Sequence, residues 1–215
     1  MRDDRSCSLA ADAVITLTTN QPTPLKLPGL DIELLENVVP DPAMCDALVA
    51  ETAWRQESVR VFGKLYPQPR LVAWHGDANA IYPYAGLRLE PKPWTPRLSM
   101  LREIATKMCD ADFNSVLLNY YRDGRDSMGL HSDDESELGP NPIIASFTFG
   151  SRRQLLFQHK HDNKLARIRL MLPSGSLLIM RGKTQQEWKH GIEKTRKPCG
   201  GRVNLTYRFI MPEST

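Results

Sequence analysis

His131 and Asp133 stand two residues apart in a chain with five histidines. In an extended strand, residues i and i+2 leave the same face, so both could take adjacent corners of one metal ion. A third ligand, His190, would come from a distant strand. Two imidazoles and one carboxylate leave about half of an octahedron open. That set suits a non-haem Fe(II) site with positions for a co-substrate and oxygen. The triplet alone fits equally a surface histidine in an acidic loop.

The stretch Arg202 to Arg208 adds a second chemistry. Arg202, Asn204, Thr206 and Arg208 fall on one strand face, and Val203, Leu205, Tyr207 and Phe209 fall on the other. The cationic face spans roughly 20 Å at about 3.3 Å per residue. Paired guanidinium groups suit a dicarboxylate. An exposed edge strand with two solvated arginines would leave the intervening Asn and Thr unexplained.

Six segments, in order and spacing, resemble the AlkB-type Fe(II)/2-oxoglutarate dioxygenases. They are Asn119-Tyr120-Tyr121-Arg122-Asp123-Gly124, His131-Ser132-Asp133-Asp134-Glu135, Pro142 to Gly150, Gly175 to Met180, Trp188-Lys189-His190 and Arg202 to Arg208. The resemblance runs from about residue 60 to the C-terminus and is strongest to the branch of human AlkB homologues 2 and 3. It implies Fe(II) on His131, Asp133 and His190. It also implies 2-oxoglutarate held by Asn119, Tyr121, Arg202, Asn204, Thr206 and Arg208, with O2 at the last metal position. The implied reaction hydroxylates an N-linked alkyl carbon of a damaged base such as N1-methyladenine or N3-methylcytosine, releasing aldehyde, succinate and CO2. Gly201 departs from the proline usual in that branch, and a looser entry to the strand is expected.

The same resemblance assigns residues 58–90 to nucleotide recognition. Phe62, between Val61 and Gly63 and flanked by Arg60 and Lys64, has the make-up of an apolar wedge with phosphate-binding cations. Tyr82 and Tyr84 would stack on a flipped base, and Arg70 joins these contacts. Asp134 would favour cationic methylated bases, with Glu135 assisting. His75 reads as a hydrogen-bonded residue rather than a ligand, and the His159-Lys160-His161 triplet as solvent-facing. Two other readings stay open: an oxygenase acting on a protein side chain or small molecule, and a metal-free nucleic-acid-binding module.

The elements that must position these groups follow from pattern. A length of 215 residues with 41% hydrophobic content suits one domain. Residues 1–28 are polar and proline-bearing and read as a flexible arm, with a single domain over 29–215. Asp31 to Val39 reads as a strand. Asp41-Pro42 and Thr95-Pro96 are cap-plus-proline signals that open helices carrying Met44, Ala47, Leu48 and Trp54, and Leu98, Leu101, Ile104, Ala105 and Met108. From Phe113 the texture is short strands and turns. The fold class expected is α+β, a double-stranded β-helix (jelly roll) core over about 113–212 with N-terminal helices packed on the sheet.

Formal net charge is only +3, but residues 151–202 hold thirteen Lys/Arg against three Asp/Glu. That asymmetry points to a polyanion: alkylated DNA, double- or single-stranded, with RNA as a further candidate. Cys7, Cys45, Cys109 and Cys199 are scattered and form neither a metal ribbon nor a disulfide framework. No apolar run reaches the roughly 18 residues of a membrane span. A monomer is expected, cytoplasmic in a bacterium or nuclear in a eukaryote, and not secreted.

Overall fold

The computed structural model describes residues 12–15, 23–61, 63–80, 82–84 and 87–212, with the backbone alone at 12–15, 23, 60–61, 82–84 and 87–89. The strands in chain order are β1 (Asp12–Ile15), β2 (Thr23–Leu27), β3 (Leu30–Leu35), β4 (Ser58–Val61), β5 (Lys64–Pro67), β6 (Leu71–Gly76), β7 (Tyr82–Tyr84) and β8 (Leu87–Leu89). They continue with β9 (Ser115–Tyr121), β10 (Met128–His131), β11 (Ile144–Gly150), β12 (Arg153–His159), β13 (Arg167–Leu172), β14 (Ser176–Arg181), β15 (Trp188–Ile192) and β16 (Arg202–Arg208). Helices are α1 (Met44–Glu51), α2 (Pro96–Cys109) and the single turn α3 (Thr184–Glu187).

Two sheets organise these elements. The larger runs β2-β3-β14-β11-β16-β9-β6, the smaller β1-β13-β12-β15-β10. Pairing is antiparallel apart from β1 with β13. Strand β16 is therefore central, hydrogen-bonded to β11 and β9, and the edge-strand reading is excluded. Its alternation separates two environments. Val203, Leu205 and Tyr207 face an outer core shared with Leu48 of α1 and with Leu98 and Leu101 of α2. Tyr207 also donates its hydroxyl to Leu98 O at 2.8 Å, tying α2 to the sheet. Removing a buried leucine such as Leu205 would cost about 2–5 kcal/mol.

The inner core lies between the sheets, where Ile32, Leu178 and Met180 meet Phe157, Leu170 and Trp188. Towards β9, β10 and β16 it gives way to a cleft.

Helix α2 begins as its sequence dictates: Thr95 accepts the Leu98 N–H at 3.3 Å, and Pro96 occupies the first turn. Met108, expected on its buried stripe, is 44% exposed. The Asp41-Pro42 signal is displaced. Asp41 Oδ1 accepts the Ala43 N–H at 2.9 Å to make a turn, and α1 starts only at Met44. Trp54 lies beyond the helix, its indole N–H held by Val49 O at 3.1 Å. Phe209, assigned to the apolar face of β16, follows the end of the strand and is 45% exposed.

Strands β1 and β2 fall inside the stretch read as a flexible arm. Strand pairing uses backbone groups and needs no hydrophobic period. Pro24 is tolerated because β2 is an edge strand.

Candidate metal centre and anion cleft

Strands β10 and β15 bring the two histidines together, with His131 opposite His190 and ring centroids 4.4 Å apart. Gly191 permits this closeness. A Cβ there would lie 2.8 Å from Met128 O and 3.0 Å from Gly129 O, so any side chain would push the strands apart. His131 donates Nδ1–H to Gly129 O at 3.0 Å, which leaves Nε2 as its lone-pair nitrogen.

Asp133 does not share a strand with His131, because β10 ends at His131. It is placed instead from two sides. Gln185 of α3 accepts its backbone N–H at 3.0 Å, and Arg208 donates to Oδ1 at 2.5 Å. Oδ2 is buried, makes no hydrogen bond among the described residues, and lies 3.9 Å from His190 Nε2. Ligand atoms of all three residues lie within 4.8 Å of one another. An orphaned carboxylate oxygen beside two imidazoles is a donor set that fits Fe(II).

The local electrostatics keep His190 and Asp133 in their binding forms. Burial pushes the His190 pKa down to about 3, and the neighbouring His131 adds to the shift, so the ring is neutral near pH 7. For Asp133 burial works against the charge, but Arg208 first, then His190 and His131, hold the carboxyl below its usual range.

The predicted face of β16 does look into the cleft, which is open to solvent. Its two arginines are not equivalent. Arg208 is bound to Asp133 at the metal end. Arg202, six residues away and 2% exposed, donates to Thr148 Oγ1 at 2.9 Å and lies 5.2 Å over the Tyr121 ring. Its Nε and Nη1 are buried and make no hydrogen bond among the described residues. Burial lowers its pKa to about 10. A guanidinium so placed is compensated best by an anion arriving in the cleft.

Asn204 is used up internally, donating to Ser146 Oγ at 2.8 Å and Phe147 O at 2.9 Å and accepting from Thr206 Oγ1 at 3.2 Å. It holds Ser146 and Thr206 in place rather than offering a free donor. Gly201 does not loosen the strand entry. Its carbonyl accepts the Ser151 N–H at 2.9 Å, and Arg202 pairs in register with Gly150 and Tyr121.

A family profile described as the 2OG-Fe(II) oxygenase superfamily matches residues 37–208. This chain belongs to that superfamily. Human DNA oxidative demethylase ALKBH2 is 43% identical over 159 residues, covering 71% of this chain and 61% of that protein. Mouse alpha-ketoglutarate-dependent dioxygenase alkB homolog 3 is 38% identical over 176 residues, covering 78% and 61%. The match thus spans about three-fifths of the length of these curated relatives. The solved structure of OsALKBH1 superposes with a TM-score of 0.60 at 17% identity, over 88% of this chain and all of that one, which establishes the oxygenase fold.

The substrate-side residues of this oxygenase are distributed less simply than the sequence suggests. Glu135 lines the cleft, whereas Asp134 does not. Lys160 donates to Asp134 Oδ2 at 2.6 Å. The Lys160 side chain is only 13% exposed, so it is not the solvated lysine expected, and neighbouring His159 packs edge-on against Trp188 at 5.2 Å. His75, as expected, is hydrogen-bonded, its Nδ1 lying 2.7 Å from Pro93 O.

Val61 and Lys64 pair across the tip of the β4–β5 ribbon, with Gly63 at φ +79° and Lys64 exposed. Phe62 lies outside the described residues, as do the side chains of Val61, Tyr82 and Tyr84; Tyr82 and Tyr84 belong to β7, which pairs with β8. Arg70 sits in the cleft rather than on the ribbon, donating Nε–H to Asn119 Oδ1 at 2.7 Å.

Sequence reasoning missed Ser146, Gln185, Lys160 and Arg153. The buried Arg153 donates to Asp123 O, Asp126 O and Glu193 O at 3.1, 3.0 and 2.6 Å, fastening the loop before β10 to the end of β15. Arg153 opens β12 between Arg152 and Gln154, so no break in an apolar pattern flags it in the sequence.

Proposed function

We propose that this oxygenase repairs N-alkylated nucleic-acid bases by oxidative demethylation, on a double-stranded β-helix frame. The observation that carries the reading is the pairing of two unmet needs in one cleft. Asp133 Oδ2 and two imidazoles await a cation at one end, and Arg202 awaits an anion along the same strand face. When bound, Fe(II) with 2-oxoglutarate and O2 supplies hydroxylation of an N-linked alkyl carbon, which then leaves as aldehyde.

The chain supplies position and shielding. His131, Asp133 and His190 hold the metal, and Gln185 and Arg208 keep Asp133 aimed at it. Arg202 takes a carboxylate of the co-substrate while Tyr121 forms the wall beside it. Glu135, in the cleft and two residues from Asp133, supplies negative charge for a base made cationic by methylation. The curated relatives named as DNA oxidative demethylases support DNA as substrate; we extend the proposal to duplex or single strands, with RNA as a further polymer, and to a monomeric protein.

The test is aerobic turnover of protein supplied with Fe(II) and 2-oxoglutarate on oligonucleotides carrying N1-methyladenine or N3-methylcytosine. Wild type should produce oligonucleotide lighter by one methylene unit, and His131→Ala should not. Co-substrate consumed with no change of oligonucleotide mass would favour a hydroxylase of a protein or small molecule instead.

A further inference from the structure

Arg70 is placed by sequence among nucleic-acid contacts, yet it is 3% exposed and lines the cleft beside Asn119. A guanidinium carries donors only, so the amide atom of Asn119 that faces Arg70 at 2.7 Å is its oxygen. The amide nitrogen is thereby turned the other way, and it makes no hydrogen bond among the described residues. Strand register sets where that nitrogen acts. Asn119 pairs with Asn204, two residues along β9, and so on the same face, from the pairing of Tyr121 with Arg202. The free donor therefore belongs to the same wall as the guanidinium that awaits an anion.

We propose that Arg70 is a positioning residue for the co-substrate, fixing the Asn119 amide so that its NH2 faces the bound dicarboxylate. This inference rests on the 2-oxoglutarate reading of the cleft. Without Arg70 the amide can turn over and present its carbonyl oxygen to a carboxylate, replacing an attraction with a repulsion.

The backbone around Arg70 is built to hold it. Its N–H donates to Gln68 O at 2.9 Å, Gln68 N–H donates to Glu57 O at 2.7 Å, and Pro69 O accepts from Ser127 N–H at 2.9 Å. The segment is thus pinned both to the stretch before the β4–β5 ribbon and to the residue preceding β10, which fixes the Arg70 backbone beside the cleft, while the bond to Asn119 holds the guanidinium.

The experiment is a calorimetric titration of 2-oxoglutarate into the full chain loaded with Mn(II), which does not turn over. Arg70→Met should raise Kd about three- to tenfold, and Arg70→Lys, also donor-only, should recover most of the loss. Asn119→Ala should weaken binding similarly, and the double variant Arg70→Met/Asn119→Ala should be no weaker than Asn119→Ala alone. In turnover, KM for 2-oxoglutarate should rise while KM for the oligonucleotide holds.

Unchanged Kd in Arg70→Met, or losses that add in the double variant, overturns the proposal. A rise in KM for the oligonucleotide alone makes Arg70 a nucleic-acid contact instead. Should Arg70→Met fail to fold, Asn119→Asp decides. Arg70 would hold one carboxylate oxygen and turn the other on the ligand, so weaker binding than in Asn119→Ala supports the proposal and equal binding rejects it. Wild type that binds no 2-oxoglutarate at all brings down the reading of the cleft itself, and the role of Arg70 with it.

Discussion

Arg208 donates to Asp133 across a gap of 75 residues, Nη2 to Oδ1 at 2.5 Å, with both side chains almost fully buried. The strand that lines the anion cleft therefore also steadies the metal carboxylate. Removing one member of such a pair strands the other charge in the interior, at a cost of about 3–5 kcal/mol. Arg208→Met should lower the melting temperature of the metal-free protein. A bound divalent ion would then compensate Asp133, so the rise in melting temperature on adding Co(II) should be larger in the variant than in wild type. Equal rises would mean that Arg208 is not what balances Asp133.

Gly191→Ala tests whether the closeness of β10 and β15 makes the metal site. The new methyl would meet two backbone carbonyls at 2.8 and 3.0 Å, and backbone cannot rotate aside as a side chain can. The expected result is a shift of β10 that parts His131 from His190. Far-ultraviolet circular dichroism should stay close to wild type, while Co(II) affinity falls at least tenfold. Retained affinity would show that the strands have slack.

How much of this was legible beforehand differs by residue. The facing of Arg202, Asn204, Thr206 and Arg208 follows from a period of two, and tertiary structure could not change it without moving the whole strand. Thr95-Pro96 likewise acts within four residues, and α2 starts where it says. His190 could be named only as a third ligand from a distant strand, and the resemblance then supported it, since a lone histidine carries no local signal of its partners. What sequence did not disclose is which hydrogen-bonding groups were already spent. Asn204 is saturated by Ser146 and Phe147, Lys160 reaches back 26 residues to Asp134, and Gln185 meets Asp133 over 52. Such partnerships depend on side chains from separate strands arriving at one place, and no periodicity encodes them.

The pH response of the metal-free protein follows from His190. Its folded pKa of about 3 lies below the ordinary value of 6.5, so between those limits the unfolded chain binds a proton that the folded chain refuses. Stability therefore rises with pH through that window, and acidification from pH 6.5 towards 3 should remove about 1.4 kcal/mol per pH unit from this group alone. Asp133 is likewise held below the usual carboxylate range, and the stability it contributes fades only in stronger acid. Chemical denaturation at a series of pH values should give a shallower slope for His190→Gln than for wild type. Parallel slopes would assign the acid sensitivity elsewhere.

Selectivity for charged lesions should reside in Glu135 rather than Asp134. Glu135 lines the cleft, while the Asp134 carboxylate is engaged by Lys160 at 2.6 Å and is outside the cleft wall. The Lys160 ammonium weakens the field that the Asp134 carboxylate projects onto a base. N3-methylcytosine is a cation near neutral pH and N3-methylthymine is neutral, so the ratio of their kcat/KM values in one oligonucleotide sequence isolates the charge effect from phosphate binding. Glu135→Ala should reduce that ratio about tenfold, a change of ~1.4 kcal/mol. Asp134→Ala should move it less than about threefold, within the range of an ion pair whose carboxylate is half-exposed. The reverse order would mean that Lys160 releases Asp134 when nucleic acid binds, and that Asp134 then turns to the base.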